Sequence, residues 1–172
     1  MNQFNRLLIW LSRIHRCRGF GIQSPSDYSF VRNVVNEHWP YYAYDTLKND
    51  DWIIQKLGRL YFRLANWRHP LFMLPDKYEK FWLAGCRTIH FTTNINTVEM
   101  VRLDIDDAIL YESSLSKCDE MSVMVVEGIC NNMSRWHEME NDERTGTTFD
   151  LYYCGIIFFD KKRYKHHYTI NF

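Results

Sequence analysis

The sequence predicts an α/β protein in which about three N-terminal helices precede a mostly parallel sheet that ends in an antiparallel hairpin. Three observations point this way. Apolar residues recur at helical spacing as far as Trp67. Beyond that point, short apolar runs alternate with amphipathic stretches, the texture of strand–helix–strand units. The chain also has only 7 Gly and 4 Pro in 172 residues, with 16% aromatics, which suits a packed core and excludes low complexity or a turn-dense sandwich. This length fits a single domain, 1–172, read as a helical segment (1–67) followed by an α/β core (68–172).

In the first helix, Phe4, Leu7, Leu8, Leu11 and Ile14 share a face, with Arg6, Arg13 and Arg16 around the sides. Gly19 and Gly21 in "RCRGFG" end it. Such a basic amphipathic helix can lie on a membrane surface. Packing against its own domain is the expectation here, because positive charge on one short helix is common. The second helix starts well: Ser24 suits the N-cap, Pro25 the first helical position, and Asp27 a capping box. Tyr28, Val31, Val34, Val35 and His38 continue its stripe. A third helix begins around Asp51 and places Ile53, Ile54, Leu57, Leu60, Tyr61 and Leu64 on its apolar side.

Leu71 to Leu74 then reads as a strand, Pro75-Asp76 as a turn, and Lys77 to Ala84 as a helix. "RTIHFTT" alternates with period two, and "VEMVRLDI" is apolar enough for a buried strand. "DDAILYESSLSKCDE" reads as helical. "SVMVVEGI", nearly continuous in apolar residues, has the look of a central parallel strand. "NNMSRWHEMENDER" is a polar helix capped by Asn131 or Asn132, and "TTFDLYYCGIIFF" is two strands joined by a short turn. "DKKRYKHHYTINF" closes the sequence.

Charge is balanced, 21 basic against 21 acidic residues, so no global field advertises nucleic acid or an anionic membrane. The distribution is uneven: the first 18 residues hold four arginines and no acid, and Lys161, Lys162, Arg163 and Lys165 cluster with His166 and His167. Five widely spaced cysteines without a CxxC pair give no zinc or redox motif and fit reduced thiols in a cytoplasmic protein. No stretch is long enough to span a bilayer, and no signal peptide is expected. Asp104, Asp106 and Asp107 end one predicted strand and Glu127 the next, at the edge where parallel sheets bind ligands. The simpler expectation is that Asp106 and Asp107 cap the following helix. His166-His167 is expected to be solvated tail, and Cys130 with His137 a catalytic pair only if the fold joins them.

Three stretches resemble a known family: "GIQSPSDYSF" (21–30), "KLGRLYFRLANWRHP" (56–70) and the ending "TTFDLYYCGIIFFDKKRYKHHYTINF". Together the chain resembles a degenerate, shortened class I S-adenosylmethionine-dependent methyltransferase. The branch concerned has a Gly-x-His-Ser-Pro-Phe motif, in which Gln23 stands here for the histidine. The resemblance implies a Rossmann-like methyltransferase fold. It also implies a cofactor turn after the first strand, where the family has an acid and two glycines. Here the turn is "LPDKYEKFW", with Asp76 its only carboxylate before the helix and no glycine. Thr93 or Asn94 stands where an acid would hold the ribose, and Glu127-Gly128-Ile129-Cys130 replaces an Asp-Asp-Ile-His stretch.

The resulting expectation is S-adenosylmethionine binding that is weak or lost, and a non-catalytic binding or scaffold protein. The alternative is a working methyltransferase in which Asp76, Asp104 and Glu127 build a rearranged pocket. A third reading is a peripheral membrane or nucleic-acid adaptor using the two basic ends. The expected partner is a protein or small molecule rather than nucleic acid or a membrane surface, and no metal is expected. If the site is degenerate, Tyr78, Phe81 or Trp82 should fill it.

Overall fold

The computed structural model describes residues 3–94, 96–162 and 164–172. Among them are seven α-helices and seven strands. The chain forms two compact units, Met1–Ser24 with Asn96–Phe172, and Pro25–Ile95.

Helix α1 (Gln3–Ser12) opens the first unit and buries none of its residues. The expectation that its apolar stripe packs on its own domain is therefore not met. Polar bonds hold the segment instead. Arg13 forms a bidentate pair with Asp150 (2.9 and 2.8 Å), while Asn171 donates from its backbone to Arg16 O and from its side chain to Trp10 O.

The second unit begins with α2 (Pro25–Phe30), which runs into a π-turn at Val31–Val35, followed by α3 (Ala43–Thr46) and α4 (Trp52–Arg68). As the sequence indicated, α4 begins at Asp51, whose carboxylate accepts from the Ile53 and Ile54 amides. It ends where His69 turns left-handed (φ +51), just before Pro70, which disfavours helical backbone in the residue ahead of it. Arg63 is buried on α4 and donates to the Val34 and Val35 carbonyls, which end the π-turn and would otherwise be orphaned.

Strand β1 (Phe72–Met73), helix α5 (Glu79–Gly85) and strand β2 (His90–Phe91) complete this unit. The strands are short and parallel, with Phe72 opposite His90. Helix α5 packs on α4 around a buried aromatic cluster. The Tyr61 ring stacks on Trp82 with centroids 4.7 Å apart and meets Tyr78 edge-on.

The first unit resumes with β3 (Val98–Asp104), α6 (Ala108–Leu115), β4 (Cys118–Glu127) and α7 (Met133–Asn141). Strands β5 (Thr148–Asp150), β6 (Cys154–Phe158) and β7 (His167–Thr169) follow. Together the strands form one sheet in the order β3-β4-β6-β5-β7. Pairs β3/β4 and β5/β7 are parallel, whereas β6 runs antiparallel to both β4 and β5. The sheet is thus mixed, which corrects the mostly parallel arrangement expected from the sequence. The cause is the tight turn after β5: it sends β6 back antiparallel, and β6 lodges between β5 and β4. The "SVMVVEGI" strand therefore has a parallel neighbour on one side only.

Other elements also differ from the sequence reading: the short α3 was not foreseen, and the helical stripe expected to reach His38 stops at Val35. Helix α6 stops at Leu115, and the Cys118–Glu120 stretch read as its end is the start of β4. Strand β7 was not foreseen within the closing segment. The core of this unit lies under Val123–Val126, Phe149, Ile156 and Ile157, all buried. Trp136 of α7 reaches Gly155, where an added Cβ would overlap its indole ring.

Candidate functional site

Strands β3 and β4 are in register at their carboxyl ends, so Asp104 stands opposite Glu127. Arg102 lies two residues before Asp104 on the same strand and shares its face. Its guanidinium, with a side chain only 7% exposed, reaches both acids. It donates to Glu127 Oε2 from Nε at 3.0 Å, with a terminal nitrogen 2.8 Å away, and to the two Asp104 oxygens at 2.9 and 2.6 Å. The structure thus does bring Asp104 and Glu127 together, around a cation that neutralises one of the two charges. Breaking such a pair by removing a mostly buried partner is costly, so this is a structural clamp as well as a candidate anionic edge.

Of the two neighbouring acids expected to cap α6, only Asp107 does so. Asp107 accepts from the Leu110 amide at the start of α6. Asp106 accepts from the Asn132 side chain at 3.0 Å. Asn132, in turn, caps α7 through the Arg135 amide, resolving the choice between Asn131 and Asn132. Gly128, with φ +82, makes the left-handed step that lets the chain leave β4 for this cap.

Asp76 belongs to the other unit. One of its carboxylate oxygens accepts from the Tyr78 amide at 2.6 Å, and both lie within bonding distance of the Trp82 indole nitrogen, at 3.2 and 3.0 Å. Tyr78, Phe81 and Trp82 are completely buried there. The turn that the sequence singled out is thus tied into the aromatic cluster by its one acid.

The Cys130–His137 pair does not form as a hydrogen bond: His137 Nδ1 lies 2.8 Å from Glu140 Oε2 instead. Burial also pushes the Cys130 thiol pKa up, which opposes the thiolate a nucleophile needs. Among the described residues no group of three or more His, Cys, Asp or Glu is gathered to hold a metal ion. Among them, too, no helix is long and apolar enough to cross a membrane.

Sequence reasoning missed two polar clusters. In one, the buried Thr148 hydroxyl donates to Glu140 Oε1 and lies 2.8 Å from His167 Nδ1, across the parallel β5/β7 pair. With the hydroxyl proton given to Glu140, His167 is the donor to Thr148. Partial burial lowers the His167 pKa. Nor is the basic tail simply solvated, since Lys165 Nζ donates to Asp142 O and to Thr145 Oγ1. The period-two alternation in "HYTI" was the available signal, hidden by the charge run before it.

In the second cluster, Arg144 sits between Asp142 and Glu112, with 2.7 Å contacts to each. Hydrogen bonds from Arg144 hold the Asp142 carboxyl at about 2, against an ordinary 3.8. Because the folded value lies below the unfolded one, this contribution to stability is complete above pH 3.8 and is lost as the pH falls through about 2. Asp142→Asn should therefore flatten the fall in urea midpoint over that interval. Parallel midpoint curves for the two proteins would refute the assignment.

Comparison with family models, with curated proteins and with solved structures finds no match to this chain.

Proposed function

We propose that the chain is a methyltransferase-like protein of Rossmann-like fold whose S-adenosylmethionine site is degenerate, and that it serves as a non-catalytic binding or scaffold protein. The observation that carries this reading is the use made of Asp76. At a turn where the resembled family places an acid and glycines for the cofactor, Asp76 instead accepts from the Tyr78 amide and the Trp82 indole N–H. Both residues, with Phe81 between them, are fully buried, as expected for a site filled by its own side chains. Asp104 and Glu127, the other two carboxylates that a rearranged pocket would use, are bound to Arg102. The hairpin strand β6, antiparallel between β4 and β5, is consistent with the antiparallel ending of the resembled branch.

Isothermal titration with S-adenosylmethionine and S-adenosylhomocysteine tests this directly. The expected result is no binding at millimolar ligand by the folded protein. Asp76→Ala should instead register as a loss of stability of about 2 kcal/mol, since the buried Trp82 N–H would lose its acceptor. Micromolar binding abolished in Asp76→Ala and Glu127→Ala would overturn the proposal in favour of a working methyltransferase.

A further inference from the structure

Helix α1 carries its apolar stripe outward. Phe4 is 65% exposed, and Leu7, Leu8 and Leu11 of the same face are about half exposed. The half-buried positions, Arg6 and Ile9, lie on the other side. A helix of this pattern ordinarily turns its stripe toward a core. Here the Arg13–Asp150 pair and the Asn171 hydrogen bonds hold the segment with that stripe uncovered.

A second apolar element adjoins it in sequence. Left-handed backbone at Arg18 (φ +52), Gly19 (φ +78) and Gly21 (φ +87) sets Phe20 in a turn, 80% exposed. Arg16 and Arg18 are exposed between the helix and this phenylalanine. No Asp or Glu occurs before Asp27, although the whole chain balances 21 bases with 21 acids. So many exposed apolar side chains in one short segment exceed ordinary surface scatter.

From this combination we infer that α1 and the Phe20 turn form a docking surface for an anionic lipid membrane. Leu, Phe and Trp side chains beside arginines seat a helix at the headgroup boundary, where the apolar face enters the acyl region and the bases meet lipid phosphates. Each arginine near an anionic leaflet strengthens binding roughly fivefold. A second copy of the chain is the poorer occupant. A two-fold contact would set this face against its own copy, and with no Asp or Glu before Asp27 the segment offers Arg16 and Arg18 no carboxylate to meet. An anionic leaflet supplies the opposite charge. This inference is independent of whether the cofactor site is degenerate.

The test is flotation of the full chain with phosphatidylcholine vesicles, with and without phosphatidylserine. Binding is expected on the phosphatidylserine vesicles and should weaken as salt is raised. Leu7→Gln with Leu11→Gln should weaken it at least roughly tenfold, and Arg16→Gln with Arg18→Gln roughly twenty-five-fold. All four side chains are exposed, and circular dichroism would verify that the variants fold. Absence of binding at low salt, or binding indifferent to the leucine pair, would overturn the inference. Equal binding to neutral vesicles would overturn the charge-based choice of lipid. A dimer dissolved by the leucine variants, without vesicle binding, would assign the face to a second copy.

Discussion

Arg13→Ala is expected to destabilise the first unit by about 3 kcal/mol, the cost of leaving a largely buried carboxylate without its partner. Arg13 and Asp150 are 137 residues apart in sequence, and their side chains are only 15% and 10% exposed. The guanidinium also donates to the Asp150 carbonyl at 3.2 Å and lies over the Tyr152 ring. Asp150 in turn accepts from the Tyr152 amide in the turn between β5 and β6. One pair thus ties the N-terminal segment to the hairpin that inserts into the sheet. Urea unfolding would measure the loss, and hydrogen exchange would locate it at the Ile170 and Asn171 amides, which bond to Asp150 O and Arg16 O. Replacing both partners with apolar residues (Arg13→Met with Asp150→Leu) should recover much of the loss, because no charge is then stranded. If Arg13→Ala leaves the midpoint unchanged, the pair is not what anchors the segment.

Gly85→Ala should also be destabilising, again by about 3 kcal/mol, although helix propensity argues the other way. Replacing glycine by alanine in a helix ordinarily gains up to about 1 kcal/mol. At Gly85, however, an added Cβ would overlap the Phe62 backbone carbonyl oxygen and press on the Ala65 methyl, 3.0 Å away. A backbone carbonyl inside α4 cannot swing aside as a side-chain tip can, so the two helices would have to separate. Gly58 makes the matching close approach from α4, with the Phe81 ring above it. The sign of the change decides: a lowered urea midpoint supports close packing as the reason for this glycine, and a raised one would refute it. Gly85 is also the glycine nearest the Pro75-Asp76 turn. Its place at the helix contact explains why a glycine there serves packing and leaves the turn unchanged.

Much of the local structure was legible. The caps at Asp51, Asp107 and Asn132 lie at or within a residue of where the sequence placed them, because a cap depends only on the next few amides. Of the acids after β3, Asp107 was legible as a cap for the same reason, whereas Asp106 bonds the Asn132 side chain and Asp104 pairs with Arg102. The candidate site was less so. Asp104 and Glu127 were named, but Arg102, the cation that joins them, was not. Its role depends on the register between β3 and β4. His167 was named only as tail, and its cluster with Thr148 and Glu140 was missed because strand β7 is short and follows a run of bases.

By itself, then, the sequence determined the helices other than the short α3, most strand positions, most of the caps and the apolar runs that become the core. These follow from periodicity and from contacts within one or two turns of chain. Tertiary structure alone decided which charges pair, that β6 lodges between β4 and β5, and which way the stripe of α1 faces. Those outcomes depend on strand order and on partners as far apart as Arg13 and Asp150, and a pattern with a period of two or 3.6 residues carries no information at that range.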